Sequence, residues 1–131
     1  MSYSISSLDE LGQGYGFRKV RGALGVSAFG VNALVFPPGY EGPNHYHEHQ
    51  DELYFVHRGT ATFTFDGDEH PVGEGGVVHV ESTTHRMISN RTEEDLVLFI
   101  VGGKGGYVER DGKLVGPEDL AKRQAISEMQ R

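Results

Sequence analysis

Apolar residues along this chain come in short runs, most with a period of two, separated by glycine, proline and aspartate. Phe29, Val31, Ala33 and Val35 alternate with Ala28, Gly30, Asn32 and Leu34 until Pro37, Pro38 and Gly39 stop the run, which predicts a strand. Leu53 to His57 is rich in aromatic and branched residues, and Thr60 to Phe65 alternates threonine with Ala61, Phe63 and Phe65. These two runs read as a strand pair closing on a hairpin at Asp66-Gly67. Val77 to Val80 and Arg86 to Ser89 are strand-like, and Leu96 to Val101 is apolar throughout, as in a strand buried on both faces. A further hairpin is expected from Tyr107 to Val115, turning at Asp111-Gly112. So many short strands indicate an all-β fold, a sandwich or a barrel.

Helix signals are confined to the ends. Ser7 and Glu10 form a Ser-x-x-Glu capping box that can start one helical turn. Pro117, Glu118 and Asp119 make a helix start, because proline suits the first position and acids complement the dipole there. Leu120, Ala121, Ala125 and Met129 are the expected apolar face of this short C-terminal helix. The chain divides into a lead-in at 1–16, a barrel domain at 17–101 and an extension at 102–131. The glycines at 102, 103, 105 and 106 lack the Lys-Ser/Thr ending of a phosphate-binding loop and read as a turn or hinge.

Composition narrows the chemistry. With 131 residues there is room for one compact domain, and 19 glycines lying mostly between the β-type runs suit tight connections. A formal charge of -7, without a basic stripe, argues against nucleic acid as a partner. No sustained apolar run or basic flank marks the first residues, so no membrane segment is expected and the cytoplasm is the expected compartment. Cysteine is absent, so any metal must rest on nitrogen and oxygen.

Such ligands are present. His45 and His47 are two apart, so on an extended segment both imidazoles project from one face. Glu52 follows after enough chain for a turn and opens the next apolar strand, adding an anionic oxygen. Histidines with one carboxylate leave coordination positions open for a substrate or dioxygen. Tyr54 and Val56 share the face of Glu52 by parity, and the Tyr54 hydroxyl is the candidate catalytic group, a proton relay. His49 reads as a solvated turn residue, and His57, His70 and His79 as non-functional.

Gly39, five residues, His45-x-His47, four residues, Glu52, six residues and Gly59 reproduce the first motif of the cupin superfamily, which this chain resembles from about residue 17 to 101. The second motif of that family has proline and glycine ahead of a histidine and an asparagine four positions after it. Gly73, Gly75, Val77, Val78, Val80 and His85 are similar, although Val80 and Ser82 replace the proline and glycine and Asn90 comes one residue late. The resemblance implies a double-stranded β-helix, or jelly-roll, barrel, a homodimer, and one divalent ion (Fe, Mn, Ni or Zn) on His45, His47, Glu52 and His85. His79 is the rival fourth ligand, on a run where the resemblance places none.

Two function classes follow. The first is a metal-dependent enzyme on a small organic substrate, a dioxygenase with Fe(II) or an isomerase or lyase with Mn, Ni or Zn. The second is a non-catalytic module holding a sugar or small acid. A metal-free epimerase ranks last, since such sites dispense with ligands this chain retains.

Overall fold

The computed structural model describes residues 2–128. Its elements are β1 (Gly16–Arg18), α1 (Val20–Leu24), β2 (Gly30–Phe36), β3 (His45–His47), β4 (Asp51–Arg58), β5 (Ala61–Phe65), β6 (Asp68–Val72), β7 (Val77–Val80), β8 (Met87–Ser89), β9 (Leu96–Gly103), β10 (Gly112–Leu114) and α2 (Pro117–Glu128). One layer is a five-stranded antiparallel sheet in the order β1-β2-β9-β4-β7. Facing it are a three-stranded sheet, β6-β5-β8, and the pair β10-β3. Isolated bridges, His45 to Arg86 and Glu41 to Ser89, join these two into a second layer. The result is the jelly-roll barrel expected from the sequence, with a short C-terminal helix. No helix among the described residues is long and apolar enough to cross a membrane.

Period-two alternation explains how the layers close. Glu52, Tyr54 and Val56 on β4 point inward while Leu53 and Phe55 face out, and the ladder to β9 places Ile100 and Leu98 beside Tyr54 and Val56. Leu34, Phe36, Phe63, Val80, Ile88 and Leu96 complete the buried cluster. Fully burying a side chain such as Phe63 is worth about 2–3 kcal/mol, so this inner face drives closure. The Phe63 ring meets Tyr54 edge-on at 5.2 Å.

Several expectations are redrawn by the pairing. The hairpin at Asp66-Gly67 joins β5 to β6, both turn residues having positive φ (48° and 85°), whereas β4 pairs with β7 and β9 in the other layer. Of the apolar run Leu96 to Val101 on β9 only Leu96 to Leu98 are buried, and Val101 is exposed. No hairpin forms from Tyr107 to Val115; β10 instead pairs with β3, leaving Asp111 buried ahead of it. The helix α1, which no cap signal announced, ends on Gly25 in the left-handed conformation. The Ser7 hydroxyl accepts from the Glu10 amide in a single turn, as the capping box predicts.

The helix α2 starts at Pro117, as expected, but turns a different face to the barrel. Leu120, Ala121 and Ala125 are exposed, Met129 lies outside the described residues, and Asp119 and Ile126 are buried instead. Asp119 accepts from the amides of Asn44 and Gly116, and Tyr40 donates to the Lys122 carbonyl at 2.7 Å. The polar partners on the barrel mouth therefore decide how the helix is rolled, and Ile126 joins the main core.

Candidate metal centre

The site is built where β3 and β4 meet at the mouth of the barrel. On β3 the imidazoles of His45 and His47 turn inward, with Tyr46 on the opposite side. After the turn at 48–50, Glu52 is the second residue of β4 and lies across the ladder from Gly102 and Val80. Gly102 is needed there, because a Cβ would sit 3.0 Å from Gln50 Nε2 and 3.1 Å from the Asp51 carbonyl. Donor atoms of His45, His47 and Glu52 lie within 4.8 Å of one another. They stand at the wall of a cavity of about 360 Å³ whose other walls are mainly apolar, including Leu34, Phe36, Ile88 and Ile100.

Each candidate ligand is held by a second contact. His45 Nδ1 is 3.1 Å from the Pro43 carbonyl, so its proton sits there and Nε2 keeps the lone pair. Burial lowers the pKa of His45 against the opposing pull of the Pro43 carbonyl and Glu52, favouring the neutral, ligating form. Glu52 Oε1 accepts from the Tyr54 hydroxyl at 2.5 Å and lies 3.7 Å from Arg86 Nη2. Its Oε2 accepts from Gln50 Nε2 at 3.4 Å and lies 3.1 Å from His47 Nε2. Burial alone would raise the Glu52 pKa, but the His47 contact, the Tyr54 hydroxyl and Arg86 together hold it below the usual value. Tyr54 is fully buried, and burial with the neighbouring Glu52 charge pushes its pKa well up, so its oxygen keeps the proton.

The arrangement around His47 fits a cation. Its Nε2 faces Glu52 Oε2, and its Nδ1 lies 3.4 Å from Asp111 Oδ2 without a formed hydrogen bond. A neutral imidazole has one N–H for these two carboxylates, so one nitrogen presents a lone pair to an anion. A divalent ion held by His47 and Glu52 would remove that conflict.

His85 is not part of this group. It is exposed and stacks on Tyr46 with ring centroids 5.0 Å apart, while the next residue, Arg86, is fully buried beside Glu52. The bridge between His45 and Arg86 gives the reason. Directly opposed residues of antiparallel strands share a face, so an inward His45 makes Arg86 inward and sends His85 out with Tyr46. Met87 follows His85 to the outer side, where its sulfur meets Lys122. His79 lies at the surface, 3.6 Å from Asp51, and offers no fourth ligand.

Three residues of the site escaped the sequence reading. Arg86 donates to the carbonyls of Ser82 and Glu81 and stands where the fourth ligand was expected. Its signal was present: Asn90, which is fully buried and donates to the carbonyls of Phe36, Pro37 and Glu94, is four residues after Arg86 and five after His85. Gln50 is buried, with Oε1 unpartnered at the cavity. Asp111 comes from the extension, and nothing local in sequence links it to His47. His49, expected in solvent, is exposed and donates its backbone amide to Asp111.

Comparison with known proteins agrees with this fold. The model of the cupin domain matches residues 33–102. An uncharacterized protein of Methanocaldococcus jannaschii is 30% identical over 93 residues, 70% of this chain and 75% of that one. A conserved double-stranded β-helix protein from Klebsiella pneumoniae superposes with a TM-score of 0.71 at 18% identity, covering 86% of this chain and 96% of the other. A structure described as a sugar phosphate isomerase of the cupin superfamily, from Silicibacter pomeroyi, gives 0.66 at 22% identity, covering 88% and 86%. With the motif from Gly39 to Gly59 folded at the mouth of a jelly-roll barrel, the chain belongs to the cupin family.

Proposed function

We propose that this protein is a divalent-metal-dependent enzyme acting on a small organic substrate held in the barrel. The observation that carries the reading is the convergence of His45, His47 and Glu52 on one point of an apolar cavity of about 360 Å³. Two imidazoles and a carboxylate are the ligand set of non-haem Fe(II) oxygenases, which favours a dioxygenase; with Mn, Ni or Zn the same set favours isomerisation or elimination. When bound, the ion supplies Lewis acidity and open coordination positions. The chain's own residues do the rest. The cavity walls exclude water and grip the apolar body of the substrate, Gln50 Oε1 offers an acceptor to a substrate hydroxyl, and Tyr54 holds a proton against Glu52.

The test is elemental analysis of protein purified without an affinity tag. About one divalent ion per chain is expected, falling to background in the His45→Ala/His47→Ala double variant. Absence of stoichiometric metal, or metal content unchanged in the double variant, overturns the reading. Oxygen uptake and consumption of enols, diketones and sugars, assayed with each metal, then assign the reaction. Tight ligand binding without turnover under every metal would make the chain a binding module instead.

The partner implied by the family is a second copy. Outside the five-stranded sheet, Val31, Val101, Leu53 and His79 form one row and Ala33, Phe99, Phe55 and Val77 the next, with Leu53, Phe55, Val77 and Val101 exposed. Neither row carries a carboxylate, and Asp51 at the margin stands 3.6 Å from His79, so the patch offers a second chain an apolar face. A dimer by light scattering that becomes a monomer in Phe55→Asp is the expected result; a dimer unaffected by that change places the contact elsewhere.

A further inference from the structure

The extension after the barrel contributes one buried carboxylate to the site. Asp111 is 5% exposed and precedes β10, the strand that lies against β3 with Gly112 opposite His47. Its Oδ1 accepts from the His49 amide at 3.0 Å, and its Oδ2 accepts from the Gln50 amide at 2.8 Å. The Asp111 carbonyl also accepts from the Glu48 amide at 3.2 Å. Three consecutive backbone donors of the turn between two ligands therefore end on one residue. The same Oδ2 lies 3.4 Å from His47 Nδ1, a buried nitrogen that has no hydrogen bond.

We propose that Asp111 is a positioning residue for the metal centre, fixing the tautomer of His47 and holding rigid the turn that separates His47 from Glu52. With the proton of His47 drawn to Nδ1 by the Asp111 charge, Nε2 keeps its lone pair on the side of Glu52, where a ligand must present it. On one side the ring lies close to β10. A Cβ at Gly112 would stand 3.3 Å from His47 Cε1, so the backbone of β10 forms the wall against which the imidazole rests. Because Asp111 lies far beyond the barrel motifs in the chain, the extension becomes part of the site. The inference rests on the metal-dependent reading, and its test separates the two.

The measurement uses the full chain, without metal for the ring and with cobalt(II) as the probe for affinity. Two-bond ¹H–¹⁵N correlation should show His47 as the Nδ1–H tautomer in the unaltered protein. Asp111→Ala should give a mixture of tautomers and about a tenfold or greater loss of cobalt affinity, as expected for removal of a ligand's hydrogen-bond partner. Asp111→Asn, which keeps an oxygen near Nδ1 without its charge, should fall between. Gly112→Ala leaves the carboxylate in place, presses on the ring and should weaken cobalt by a few-fold. Unchanged tautomer and unchanged affinity in Asp111→Ala overturn the proposal. Should that variant not fold, unchanged affinity in both Asp111→Asn and Gly112→Ala overturns it. If the unaltered protein takes up no cobalt, the metal reading fails, and the tautomer in Asp111→Ala alone decides what Asp111 does.

Discussion

The two segments that meet at the barrel mouth, His45 to Glu52 and Ser82 to Asn90, were expected to contribute ligands to the same ion, and only the first brings its candidate ligands together. In the first, the chain itself carries the geometry: two histidines on one face of β3, a turn, and a glutamate at the start of β4. In the second, the residues before β8 form an irregular loop whose facing depends on the single bridge between Arg86 and His45. A shift of one residue exchanges the inward and outward sets, so it places a guanidinium where an imidazole was expected. Spacing within a strand is therefore a reliable guide to facing, while spacing across an irregular loop is not.

The comparison can be broken most forcefully at Glu52, the one residue both segments use. Glu52→Gln should abolish stoichiometric metal binding and, by leaving Arg86 buried without its carboxylate, cost about 3 kcal/mol in denaturant unfolding. Retention of both metal and stability would mean that neither segment depends on it. Next comes Arg86→His, which puts an imidazole at the inward position of the second segment. Cobalt affinity measured by titration should rise about tenfold, an effect of roughly 1.4 kcal/mol, and a fall would show that the second segment cannot offer a ligand.

Smaller effects sharpen the same contrast. Tyr54→Phe removes the 2.5 Å hydrogen bond to Glu52 Oε1 while keeping the ring, so thermal unfolding should show a loss of about 1–2 kcal/mol and metal affinity should fall by a few-fold. His85→Ala should change least. Its ring lies outside, on Tyr46, so metal content should be unaltered and stability should move by no more than about 0.5 kcal/mol. Loss of metal in His85→Ala would return this histidine to the ligand set.

Much of this was legible because the deciding information is local. Alternation along β2, β4 and β5 and the Asp66-Gly67 turn each depend on a few neighbouring residues. Pro117 and its acids likewise set where α2 starts. The roll of that helix was not legible, since Asp119 is drawn inward by the amides of Asn44 and Gly116 and Leu120 is thereby turned out. Nor was the fate of Asp111-Gly112. A pair favoured in hairpin turns was instead taken up by the edge of β3 and by the open amides of the ligand turn.

By itself, the sequence determined an all-β fold and the trio His45, His47 and Glu52, because period-two facing and a short turn are properties of a few bonds. Tertiary structure alone decided that Arg86 faces inward in place of His85, that β10 seals the edge of β3, and that Asp111 reaches His47 across 63 intervening positions of 131. Those outcomes depend on which strand edges and buried polar groups remain unpaired once the barrel has closed, and only the assembled fold sets that.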